Sequence, residues 1–100
     1  MQIAKVRGTV VSTQKEQTLR GLKLLLVQLI DEGGQLLPKY EVAGDRVGAG
    51  MDEWVLVSLG SAARQIEGSE KSPIDAMVVA IIDTVTVDNR SLYNKREDYR

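Results

Sequence analysis

Two stretches of this chain are apolar at nearly every position: "LKLLLVQLI" (residues 22–30) and "AMVVAII" (76–82). An extended strand sends successive side chains to opposite faces, so a run without alternation has two apolar faces to cover. The leucines of the first run would also suit a helix. Its flanks decide for a strand, with Gly21 before it and "DEGG" after it. One hundred residues make one domain with one interior. A chain of that length buries only roughly 65% of the surface its unfolded form exposes. One face of each run can line the interior. The other must be covered by loops and a short helix of the same chain, or by neighbouring copies of it.

The remaining strands alternate. In "IAKVRGTVVS" (3–12), Ala4, Val6 and Val10 share a face with Gly8, while Lys5, Arg7 and Thr9 take the other. Gly8 leaves a gap in the apolar face, which suits a bend or a bulge. "LLPKYEV" (36–42) follows the Gly33-Gly34 turn and completes a hairpin with residues 22–30. Pro38 has no N–H for a ladder and belongs at an edge or a bulge. "EWVLVSL" (53–59) is strongly strand-forming. "AMVVAIIDTVTVD" (76–88) reads as one long strand, and "NRSLYNKREDYR" as a charged tail, which divides the chain into a domain of residues 1–88 and a tail of 89–100. Within "GSAARQIEGSEKSP", "SAARQI" suits a short helix with Ser61 as its N-cap. Five strands in so short a chain favour an all-β, small five-stranded OB-like β-barrel with one short helix, since closure removes exposed edges.

Composition removes most chemistry. There is no Cys and no His, so disulfides, thiolate metal sites and the commonest general base are absent. No metal, no cofactor and no catalytic residue is expected. A formal net charge of -1 argues against a polyanionic partner. The acid pairs Asp31/Glu32 and Asp52/Glu53 lie in polar turns and read as solvated charge. Asp83, set within an apolar strand, would need a partner unless it reaches solvent, and Arg64 is the candidate for a bidentate ion pair with it. Gly44, Gly48 and Gly50 in "AGDRVGAG" are followed by no Gly-Lys-Ser/Thr, so positive φ or close backbone approach explains them better than a phosphate cradle. An OB-fold module for oligonucleotide or another ligand is the alternative. It is disfavoured by the absence of Phe, the single Trp54 and the lack of clustered basic residues. The opening "MQIAKVRGTV" has scattered charge unlike a signal peptide, and no run reaches the ~18 apolar residues of a membrane span. These features point to a cytoplasmic, soluble protein.

The succession "AKVRGTVVST", "LRGLKLLLVQ", "AGDRVGAGMDEWVLVSLGSAAR" and "SPIDAMVVAIIDTV" closely resembles the CcmL/EutN family, the pentameric vertex proteins of bacterial microcompartment shells. The most specific elements are Asp45-x-Val47-Gly48-Ala49-Gly50, Gly60-Ser61-Ala62-Ala63-Arg64, and the run from Pro73 to Asp83. The tail with "SLYNKRED" resembles the carboxysomal branch, from cyanobacteria.

The resemblance implies a five-stranded barrel assembling into a homopentamer. Flat layers of hexameric shell proteins cannot close into a polyhedron alone, and pentagons at the corners supply the curvature. In a carboxysome this closes the container around Rubisco and carbonic anhydrase, for carbon dioxide concentration and fixation in a photosynthetic cell. The implied partners are further copies of the chain and shell hexamers. The implied place is the carboxysome shell, within the cytoplasm. Backbones crowd near a fivefold axis, which suits the small residues Gly48, Ala49, Gly50, Gly60, Ser61, Ala62 and Ala63. Arg64 would tie strands or subunits together. A corner from strand to helix inside one subunit explains Gly60–Arg64 equally well. The tail would dock on a neighbour through Tyr93 or stay mobile.

Overall fold

The computed structural model describes residues 1–12, 19, 21–60, 63 and 74–98. Strands β1 (Gln2–Val10), β2 (Lys23–Ile30), β3 (Leu36–Asp45), β4 (Trp54–Leu59) and β5 (Ala76–Ile81) close into a barrel in the order β1-β2-β3-β5-β4. All neighbours are antiparallel except β3 and β5, which run parallel through Gly44–Met77 and Asp45–Val78. This is the small OB-like barrel expected from the sequence. The helix expected at 61–66 lies outside the described residues, apart from Ala63. The short helix that is described, α1, spans Lys95–Asp98.

Three irregularities fix which side chains enter the barrel. In β1, Val6 pairs with Val27 and Gly8 with Leu26, so Arg7 is the extra residue of a bulge. In β3, Leu36 pairs with Ile30 and Tyr40 with Gln28, and Pro38 sits in the resulting bulge. Buried Gln28 donates from Nε2 to the carbonyl of Leu37 at 2.9 Å, satisfying an acceptor at that bulge. In β5, Val57 pairs with Val78 and Leu56 with Ala80, which leaves Val79 as the extra residue. A one-residue slip exchanges the faces of a strand. Ala76 and Val78 before the bulge and Ile81 after it therefore all pack in the interior, with Ala4, Val6, Leu25, Val27, Leu29, Val55 and Val57.

A second cluster sits on the outside of the wall. Met77, of opposite parity to Ala76 and Val78, packs with Leu22, Ala63 and Ile74, joined by Leu19 and Leu24. Part of the surplus apolar face is thus covered by the chain's own connecting segments. Gly44 makes room for this. A Cβ there would lie 2.6 Å from Met77 Sδ and 3.0 Å from Leu22 Cδ2.

The long strand expected over 76–88 is two strands. The chain bends at Ile82–Asp83, and β6 (Thr84–Val87) pairs with β7 (Arg90–Asn94) in a separate antiparallel hairpin. Val87 faces Arg90 across a two-residue turn, with Asp88 at φ 51° and Asn89 at φ 61°. Both central residues are left-handed, as a type I′ turn requires, and Asp and Asn tolerate that region. The expected boundary between residues 88 and 89 falls in this turn, and residues 90–98 of the charged tail form β7 and α1. Tyr93 is buried against its own barrel, stacked on Trp54.

Candidate functional site

The loop between β3 and β4, residues 46–53, crosses one end of the barrel. Two carboxylates shape it. Asp45, at the end of β3 and 4% exposed, accepts from the N–H groups of Val47 at 2.9 Å and Gly48 at 3.1 Å on Oδ1, and from Ala49 at 2.8 Å on Oδ2. Glu53, just before β4 and 7% exposed, accepts from the Gly50 N–H at 2.6 Å on Oε1. Four consecutive backbone donors are therefore held by two acids at the loop's ends. Each acid has a lysine nearby. Lys23 Nζ lies 3.9 Å from Asp45 Oδ2 and donates to the Ala49 carbonyl at 3.0 Å. Lys95 Nζ lies 2.6 Å from Glu53 Oε2. The loop is also sewn to β1, where Val6 donates to the Glu53 carbonyl and accepts from the Asp52 N–H, at 2.9 and 3.0 Å.

The three small residues of this loop do different things. Ala49 points inward and is part of the barrel core. Gly48 is exposed at φ 96°, a conformation that a side chain would strain. Gly50 is half-buried over the Glu53 carboxylate. Val47 and Met51 remain exposed at the barrel end. Glu53, expected as solvated charge, is instead buried structure. The signal for both acids was an Asp and a Glu bounding a glycine-rich loop, where Asp side chains commonly bond backbone donors two residues on. Alternation says nothing about this.

The second group of small residues sits at the end of β4. Gly60 is exposed and donates its N–H to the Asp75 carbonyl at 2.7 Å. Ala63 is fully buried in the outer cluster. Ser61, Ala62 and Arg64 lie outside the described residues, and so does the ion pair expected between Arg64 and Asp83. Asp83 is exposed at the bend between β5 and β6, and its carbonyl accepts from the Lys95 N–H at 2.8 Å.

The outer face of β3 is apolar and uncovered. Leu36, Tyr40 and Val42 are 44%, 55% and 47% exposed, while Ala43 and Leu37 face the core. Val42 and Tyr40 lie opposite Leu26 and Gln28 of β2. Half-buried Leu26 thus extends this face onto the neighbouring strand. Trp54 and Tyr93 stack on each other. Among the described residues, no group of His, Cys, Asp and Glu is placed to hold a metal ion, and no helix is long and apolar enough to cross a membrane.

Residues 1–83 match the family described as "Ethanolamine utilisation protein EutN/carboxysome". Over its whole length the chain is 69% identical to the carboxysome shell vertex protein CcmL of Gloeobacter violaceus, covering all of that protein. The solved structure of Gloeobacter violaceus CcmL superposes with a TM-score of 0.91 at 70% identity, covering 96% of this chain and 99% of that one. A pentameric microcompartment shell protein of Rhodospirillum rubrum, GrpN, superposes with a TM-score of 0.79 at 49% identity, covering 87% and 99%.

Proposed function

This chain belongs to the EutN/CcmL family, and from that premise we propose that it is a vertex protein of a carboxysome shell. Five copies form a ring that caps a corner of the polyhedral shell. It is a structural component, not an enzyme. Its contribution to carbon dioxide fixation is to close the compartment in which that chemistry runs. The observation that carries this reading is the end-to-end match to a carboxysome vertex protein.

The surface supplies a physical reason for self-association. Tyr40 and Val42 stand exposed on a barrel wall whose other apolar overhang, around Met77, is covered within the chain. A cyclic ring joins two different faces of each copy, so the wall of β3 would meet another part of its neighbour. The loop at Gly48–Gly50 and the corner at Gly60–Arg64 are the places where small residues would let neighbouring backbones approach. Shell hexamers are the partners on the outer rim. An oligonucleotide-binding role fits less well, because Trp54 and Tyr93 occupy each other's ring faces rather than offering them to bases.

Native mass measurement tests the assembly. A particle of five times the 11.0 kDa chain mass is expected. A chain that stays single at high concentration would overturn it. In cells that make this protein, its removal should leave shells elongated or open.

A further inference from the structure

The segment that follows the C-terminal hairpin reaches back and touches the carboxylate that shapes the glycine loop. Lys95, the first residue of α1, pairs with Glu53 Oε2 at 2.6 Å, and the other oxygen of the same carboxylate holds the Gly50 N–H at 2.6 Å. Both contacts are short, as expected where an ionised acceptor is bonded by a cation and by a backbone donor. The Glu53 side chain is only 9% exposed, so weakening its ion pair leaves a largely buried charge with less compensation.

The two halves of the loop are thus braced from different places. Lys23, which serves the half held by Asp45, stands at the start of β2 and is fixed with the barrel. Lys95 stands beyond a hairpin that lies outside the barrel sheet. That hairpin is attached by the stack of Tyr93 on Trp54 and follows Ile82, whose N–H donates to the Trp54 carbonyl at 2.8 Å, while the Lys95 N–H on the Asp83 carbonyl at 2.8 Å closes the hairpin's own base. The ion pair on the Gly50 half is therefore supplied by the segment that the hairpin carries.

We infer that the docked hairpin is a positioning element for ring assembly. Tyr93 seats it, and Lys95, through Glu53, sets the loop at Gly50 in the form that a neighbouring copy meets. The link to assembly rests on the placement of this loop at a subunit seam; the brace itself does not. One consequence is that the C-terminal segment governs assembly without touching the neighbour.

Amide exchange in the full-length chain tests both parts, with ring mass measured on the same samples. In Lys95→Met, the Gly50 amide should exchange about tenfold faster, as expected for losing a bond to a charged group. The amides of Val27 and Val57 in the barrel should not change. Lys95→Arg should restore most of the protection, and the ring of Lys95→Met should dissociate at higher concentration than the wild type. If Val27 and Val57 also accelerate, the fold itself has loosened. Tyr93→Leu then makes the same comparison with every charge intact, and should free Gly50 selectively. Unchanged Gly50 exchange in both variants overturns the brace. Faster Gly50 exchange with an unaltered ring overturns the link to assembly, and a weakened ring with unaltered Gly50 exchange does the same, because Lys95 would then act on the neighbour directly. The exchange measurement needs no ring, so failure of the wild type to form pentamers would be seen separately.

Discussion

The rings of Trp54 and Tyr93 lie nearly parallel, 12° apart, with centroids 4.4 Å from each other. One comes from the first residue of a barrel strand and the other from the last hairpin, so this pair fastens the C-terminal segment to the core. Tyr93→Ala should cost about 3 kcal/mol at most, because the hairpin can come away instead of leaving a cavity. The emission of Trp54, the single tryptophan, should shift to longer wavelength. Protease should then cut within residues 83–94. An unshifted emission and an intact hairpin would mean that the stack holds nothing in place.

Asp45 accepts three backbone donors from a site that is almost closed to water. Asparagine in its place keeps one acceptor and turns an NH2 group toward an N–H. Asp45→Asn should lower stability by about 2–3 kcal/mol, the range for hydrogen bonds to a charged group. Urea unfolding followed by Trp54 emission measures this, and an unmoved midpoint would remove the acid from the account of the loop.

Gly44 and Met77 face each other where β3 and β5 run parallel. Gly44→Ala forces its new methyl against Met77 Sδ and should cost about 1–3 kcal/mol by overpacking. In a Met77→Ala background the same change should cost less than about 0.5 kcal/mol. The two single costs would then fail to add, as contacting residues do. Strict additivity would place the strain elsewhere.

Val42 is exposed in the single chain and lies on the face proposed to meet a neighbour. Val42→Glu should leave the stability of the single chain within about 0.5 kcal/mol. It should weaken the ring at least about tenfold, since a charge would be carried into an interface without a partner. Sedimentation at several concentrations reads the change. An undisturbed ring would move the seam to another face.

Much of the barrel was legible because its signals are local. Gly8 interrupts an alternating face, and β1 bulges between Val6 and Gly8. Pro38 cannot donate, and β3 bulges around it. Gly33-Gly34 turns β2 into β3, with Asp31 Oδ1 accepting from the Gly33 and Gln35 N–H groups at 2.9 Å. The last hairpin has a local signal too. Asp88-Asn89 between "TVTV" and "RSLY" carries the turn chemistry, and the charge of the flanking residues masked it.

What the sequence alone determined is which segments supply the five barrel strands, that these close into one small sheet, and that apolar surface is in excess. These follow from side-chain period and turn residues within a few positions of one another. Only the tertiary structure decided which face of each strand goes inward. The extra residue at Val79 carries Ile81 into the core, closure leaves Tyr40 and Val42 outside, and Glu53 is buried between a loop and a hairpin that meet only after folding. A period of two is reversed by a slip of one residue, and the partner that fixes the slip lies far along the chain.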